Sequence, residues 1–381
     1  MNTKEQKNIT KDATDIDYRF KFLYALGIVL VVAGHCMGGG VTLLNDWFPV
    51  GGYHLGMFMF CSGYFYKIGE EKDLAGYIWK KVKRLIIPLY IYNLCYGIFV
   101  YLSSFKGFTI GGGVTFEKLF LSPIYDGQQF VYNMAGWYII PLFMIQIYNV
   151  LLRRLLGRFS LPEWTYFVIN LALGIGGVYM AYLGYREGVW LVFARMLYFL
   201  PFFSLGTFYK MVLEKWDKLP GIWYFSIIFV AKLAIVWVYG KMPIYTPSWC
   251  NDFTENPIMP YVVGFLAIAF WLRIANELGN IIGKNKCVMM IANCTYSIMI
   301  NQFIGFLAVS TCYALIQRVT GLFGDFDWLK YKTDVWYCYI PKNIEHTLII
   351  YLAAGILIPI LIQLGINRIK KRAAKLMKEI D

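Results

Sequence analysis

Apolar residues run along this chain in ten long stretches, at 22–40, 50–66, 85–103, 133–152, 164–183, 189–213, 222–239, 258–273, 288–316 and 347–366, with short polar segments between them. A bilayer core about 30 Å thick needs around 20 apolar residues in helical form, so each stretch is a candidate crossing. The pattern predicts an all-α polytopic membrane protein of about ten transmembrane helices. It divides the chain into a tail at 1–21, a helical membrane domain at 22–368 and a second tail at 369–381. No internal repeat or separate soluble domain is visible.

Composition strengthens this reading. Of the 381 residues, 59% are hydrophobic and only 15% charged, far from the mix of a soluble domain. The 30 Tyr, 29 Phe and 12 Trp suit side chains that settle at bilayer interfaces. The first 20 residues are polar, with Asp12, Asp15 and Asp17, and no small-residue cleavage site follows the first apolar run, so a cleaved signal peptide is not expected.

The net charge of +13 changes the picture only through its distribution. With the N-terminus inside, the cytoplasmic segments carry 26 of the 36 Lys and Arg and the outer loops carry 8, leaving Arg195 and Lys232 within apolar runs. This asymmetry predicts that both termini are cytoplasmic, and it argues against a nucleic-acid surface. A buried charge at bilayer depth is costly, so Arg195 and Lys232 are expected to face a partner or a wet cavity, or in the case of Lys232 to snorkel. Arg195 is the better placed to stabilise a developing oxyanion.

Small residues predict helix contacts. Gly27, Gly34 and Gly38 form one stripe and Gly52, Gly56 and Gly63 another, so the first two segments are expected to pack together. The eight cysteines show no ligand spacing; only Cys250 and Cys338 fall in outer loops, where a disulfide is one alternative to two free thiols.

Candidate chemistry is sparse. The three histidines, His35, His54 and His346, all fall toward the outer ends of their segments. A neutral imidazole is the usual proton acceptor for activating a hydroxyl, although each also suits an ordinary helix contact. His35 flanks the first glycine stripe and faces protein; His54 lies opposite its own stripe and would need a third helix to join the same pocket as a second base or substrate contact. No histidine pair has helical ligand spacing, so no metal site is expected. Lys80, Lys81, Lys83 and Arg84 form a basic run before the third segment, where residues three or four apart share a face. It suits a clamp for phosphates, and equally a flank against anionic membrane lipid.

The stretch 22–35, followed by 51–66, resembles the opening of the acyltransferase 3 family of membrane proteins. The run Lys80 to Pro88 resembles that family's basic patch ahead of a Pro, Trp137 to Phe143 its Trp-aromatic element, and Asn293 to Gln302 a late helix motif. The resemblance implies transfer of an acyl group, by default acetyl, from cytoplasmic acyl-CoA to a hydroxyl of an extracytoplasmic saccharide or polysaccharide. No permanently bound cofactor is implied; the expected location is a bacterial cytoplasmic membrane, and a homo-oligomer is left open. It implies that His35 is the essential histidine, that Lys81 and Arg84 stand on an Arg-x-x-Arg pattern, and that Ser62 and Gly63 stand on a Ser-Gly pattern. Two positions depart from it. Tyr24 stands where many members have Arg or Lys, with Lys21 and Arg19 nearby, and Asn301 and Gln302 stand where many have His. An amide can orient a hydroxyl but cannot take its proton, so these two are expected to bind on the acceptor side. The rival reading is a carrier that exports a polysaccharide or lipid-linked sugar without covalent chemistry.

Overall fold

The computed structural model describes residues 16–36 and 47–380, and these are helical throughout apart from turns and loops, with no strand. Nine helices among the described residues are long and apolar enough to cross a membrane. The chain is therefore an all-α, multi-pass membrane protein. The N-terminal tail to residue 15 and the segment containing Gly38 lie outside the described residues.

Helix α1 is Tyr18–Cys36. The second predicted crossing is the exception to the count, because helix α2 spans only His54–Tyr64. Its 11 residues reach about 16 Å at 1.5 Å per residue, half a bilayer. The physical reason is local: a 3-10 turn at Val50–Gly52 and a non-helical Tyr53 occupy the first part of that stretch. Helix α2 runs antiparallel to α1, with Tyr64 stacked on Phe20 at 4.0 Å. Gly27 of α1 lies against Met57 and Phe58, so the two do pack. The other glycines of the second stripe serve a different neighbour: Gly56 faces Phe202, and Gly63 meets the backbone of Phe203.

Helix α3, Leu74–Ser104, starts earlier than its apolar run, capped by Asp73, which accepts from the Gly76 amide at 3.0 Å. A π-turn at Val82–Ile86 interrupts its regular pitch. Then follow α4, Met134–Phe159; α5, Glu163–Tyr182; α6, Val189–Trp216; α7, Gly221–Tyr239; and α8, Met259–Ile282. The single stretch expected at 288–316 is two helices, α9 (Lys286–Asn293) and α10 (Thr295–Thr320), broken at Cys294. Asn285 caps α9 by accepting from the Cys287 amide at 2.9 Å, and Lys21 holds Asn293 at 2.6 Å, which fixes this short amphipathic helix at the foot of α1. A short helix α11, Trp328–Thr333, lies in the loop before α12, Leu348–Ile380, which continues as one helix through the predicted C-terminal tail.

Helix α6 and the upper part of α1 form the buried centre, whereas α7 turns its apolar side chains outward: Trp237 is 87% and Val230 65% exposed, as suits a lipid-facing surface. At the lower end of the bundle Arg19 binds Asp17 at 2.6 Å and Glu214 at 2.9 Å, Tyr64 donates to Glu214 at 2.9 Å, and Arg153 forks onto Glu163 at 2.7 and 2.8 Å. His35 is at the opposite end of α1.

Candidate active site

His35 occupies the last turn of α1. Its Nδ1 lies 2.8 Å from Gln302 Oε1, and Gln302 Nε2 donates to the Met299 carbonyl at 2.9 Å. The second bond assigns the first. With the amide nitrogen turned to a carbonyl, its oxygen faces the ring and accepts from Nδ1–H, which leaves the lone pair on Nε2. Gln302 is fully buried, so this orientation is fixed by its surroundings. Phe303 and Trp336 flank the ring, with centroids 5.3 and 5.6 Å away. One position before it, a Cβ built on Gly34 would meet nothing within 4 Å among the described residues, so there is open space beside this turn of α1. The arrangement can take a proton at Nε2 from a hydroxyl presented at that opening.

The amide at 302 thus has a job that its residue type did not reveal. The sequence reading placed Asn301 and Gln302 together as polar groups for an acceptor, but the two point to different sides of α10. Asn301 is buried, accepts from Tyr96 at 2.9 Å and donates to the Ser297 carbonyl at 2.9 Å, tying α10 to α3. Contact between positions 35 and 302 is a matter of folding, and no local spacing announces it.

The basic run sits at the other end of the molecule, astride the π-turn of α3. Lys80 reaches Glu70 at 3.5 Å, Lys81 lies over the Tyr77 ring at 4.8 Å, and Lys83 over Trp79 at 5.0 Å. Arg84 is exposed. Lys80, Lys81 and Arg84 are near enough for their charges to repel one another, and a polyanion would relieve that repulsion. The Arg84 charge is also felt at Tyr24, whose hydroxyl pairs with that of Ser62. Position 24 thus places a Tyr hydroxyl near Ser62 and within the field of Arg84. Lys21 is directed instead to Asn293. From Tyr24 to His35 is eleven residues, about 16 Å along α1.

A second polar region at the same end is a cleft of about 300 Å³ lined by Arg19, Tyr209, Glu214, Asp217, Arg273, Asn276 and Glu277. With Asp17 it gathers four carboxylates and two guanidiniums, an excess of negative charge that repels phosphate. Its residues bind α1, α2, α6 and α8 to each other.

Arg195, the residue expected to stabilise an oxyanion, is engaged with protein groups. It is almost wholly buried, stacked on Trp137 with its guanidinium carbon 4.6 Å from the ring centroid. It donates to the Asp126 carbonyl at 3.0 Å, to Tyr125 at 3.4 Å, and through both Nε and Nη2 to Ser248. The guanidinium is committed to the backbones of two loops, and Trp137 is the floor on which it rests. Changing Arg195 to Met strands those carbonyls and is expected to cost about 1–3 kcal/mol for each that stays unpaired. A clear fall in the melting temperature of the solubilised protein checks this, with activity per folded molecule preserved; an unchanged melting temperature with lost activity would favour the oxyanion role instead.

The remaining expectations are quickly placed. Lys232 is buried, donates to the Trp47 carbonyl and lies over the Phe48 ring at 3.9 Å, so it has a partner and does not snorkel. His54 is half-buried at the start of α2, and His346 is exposed in a 3-10 turn. Cys250 and Cys338 are both free. Burial pushes the Cys250 thiol up to about 12, and Cys338 likewise to about 12, with Cys36 near the latter. Among the described residues no group of three or more His, Cys, Asp or Glu could hold a metal ion.

Neither the curated proteins nor the solved structures gave a match. The profile of a family described as an acyltransferase domain matches residues 17–319, from the foot of α1 almost to the end of α10. That span holds His35, the basic run and Gln302, and the chain accordingly belongs to the acyltransferase 3 family of membrane acyltransferases.

Proposed function

We propose that this protein transfers an acyl group, acetyl by default, from acyl-CoA to a hydroxyl of an extracytoplasmic saccharide or cell-surface polysaccharide. The observation that carries the reading is the His35–Gln302 pair, which holds one imidazole nitrogen as a ready proton acceptor beside an open face of α1. The excess of Lys and Arg at the end bearing Lys80 to Arg84 supports a cytoplasmic assignment for that end and for both termini. His35 then lies toward the outer leaflet of a bacterial cytoplasmic membrane.

In this mechanism the phosphates of acyl-CoA rest on Lys81 and Arg84, with Lys80 and Lys83 adding to the local field. The pantetheine arm extends along α1 past Tyr24 and Ser62, bringing the thioester to the histidine. Nε2 of His35 removes the proton of the acceptor hydroxyl as its oxygen attacks the thioester carbon. The tetrahedral intermediate collapses with cleavage of the carbon–sulfur bond, and the imidazolium returns the proton to the departing thiolate. The products are an ester and free CoA thiol. Gln302 stabilises the charged ring by accepting from Nδ1–H throughout.

Mass spectrometry of surface glycans tests the reading. Cells carrying the protein are expected to show a glycan heavier by one acyl group, 42 Da if the group is acetyl (about one C2H2O unit by the transfer chemistry above), and cells without it the unmodified mass. Identical spectra, together with unaltered export of the glycan, would overturn it. A carrier would change the amount of glycan outside and leave its mass alone.

A further inference from the structure

The segment between α10 and α12 lies beyond the residues that match the family, yet it delivers a side chain to the site. Trp336 stands 5.6 Å from the His35 ring and edge-on to Phe303 at 5.3 Å, and it is 49% exposed. Its backbone is held. Asp334 Oδ1 accepts from the Trp336 amide at 2.9 Å, Ser310 donates to the Tyr337 carbonyl at 3.2 Å, and Tyr337 accepts at its hydroxyl from the Asp327 amide at 2.8 Å. An indole carried on backbone held in this way, half-exposed beside the proton acceptor, is suited to a flat, weakly polar partner.

A second observation independently points to a ligand. Next to Trp336 is a cleft of about 10 Å³, lined by Tyr132, Phe303, Ser310, Asp334 and Tyr337 among others. That is room for one hydroxyl-sized group. Tyr132 lines it and is 1% exposed, and its buried hydroxyl has no hydrogen-bond partner among the described residues. A buried hydroxyl without a partner costs free energy that an incoming polar group recovers.

We propose that Trp336 and this cleft form the acceptor subsite: a pyranose ring lies on the indole face, and one of its hydroxyl groups enters the cleft to pair with Tyr132. The inference rests on the acyl-transfer reading above, and it assigns choice of saccharide to a segment that the family match does not include. Apolar C–H faces and hydroxyl edges are the chemistry of a sugar ring, and the indole and the Tyr–Ser–Asp lining answer one each.

The test uses the full chain in membranes, radiolabelled acetyl-CoA as donor and the expressing cells' own surface polysaccharide as acceptor probe. Trp336→Ala is expected to raise the acceptor KM at least tenfold while the donor KM stays at the wild-type value, and Trp336→Phe is expected to recover most of the loss. Tyr132→Phe is expected to raise the acceptor KM several-fold. Leu329→Ala, an exposed change on the same connection, is expected to alter neither constant. An unchanged acceptor KM in Trp336→Ala overturns the subsite, as does an equal rise in Leu329→Ala, which would mark a general effect of the loop. If the wild-type protein transfers no label from the donor, it is the acyl-transfer reading that fails.

Discussion

Replacing His35 with Ala is expected to lower acyl transfer by about 10²- to 10⁴-fold, the usual contribution of a positioned proton acceptor, with normal amounts of protein in the membrane. The imidazole touches Gln302, Phe303 and Trp336, and its removal leaves the buried Gln302 Oε1 without its donor, a cost of about 1–3 kcal/mol, so activity is compared per folded molecule. His35→Gln is expected to fail as well: an amide can keep a hydrogen bond to Gln302, but it has no basic nitrogen. This variant separates enzyme from carrier, since a carrier that uses the position only for contact keeps its transport rate. Gln302→Leu is the companion change. It leaves the base in place and removes the group that fixes its tautomer, so kcat is expected to fall about 10- to 100-fold with the donor KM unaltered. Labelled acyl-CoA and a time course on isolated membranes measure all three. Full activity in either His35 variant removes the mechanism.

Gly63→Ala is expected to destabilise the protein strongly, although it leaves every polar group in place. A Cβ at Gly63 would stand well inside the 3.0 Å that real Cβ atoms keep from neighbouring heavy atoms, and the neighbour is the backbone carbonyl of Phe203. Gly206 makes the reciprocal approach to the Phe60 carbonyl, so α2 and α6 cross backbone to backbone. Thr207 donates to the Gly63 carbonyl at 3.0 Å across the same crossing. A rotamer change cannot relieve a clash with a carbonyl, and the helices must separate. Overpacking in a core costs about 1–3 kcal/mol where side chains can yield, so at least the upper end of that range is expected. Temperature-dependent loss of the solubilised, folded protein measures it. Gly206→Ala should match it, whereas Gly34→Ala, which meets nothing within 4 Å among the described residues, should not move the midpoint. Equal midpoints for Gly63→Ala and wild type would show that the crossing yields.

The two halves of the Ser-Gly element thus differ in kind. Ser62 faces Tyr24 and the route that the donor is proposed to take, and Gly63 faces α6 and is a matter of packing. Sequence reading marked the pair without separating them. It also read the second glycine stripe as a partner for α1, because a stripe declares that something approaches closely and does not name what.

Much of the architecture was legible. Hydrophobic length located nine membrane-length helices, because a bilayer imposes one scale on every crossing. Where the pattern misled, a local backbone feature was responsible. Gly51 and Gly52 shorten the second helix, and the capped turn at Asn285 with the break at Cys294 divides the ninth stretch. Hydropathy averages over such features. His35 was legible as a candidate since histidine is rare here and apolar sequence surrounds it.

The partners of these residues were not legible. Arg195 and Lys232 were recognisable as charges in need of company, since desolvation makes an unpaired charge costly wherever it is buried. Which groups satisfied them was decided by loops folding back from 53 to 185 positions away in sequence. The same holds for His35, Gln302 and Trp336. Helical periodicity determines which residues share a face of one helix, and so the sequence by itself determined the membrane-spanning class and the candidate base. Interaction between helices depends on crossing angles and on where loops return, which are properties of the packed bundle. Only the tertiary structure decided that an amide aims the histidine, that an arginine clamps loops, and that an indole stands beside the open face.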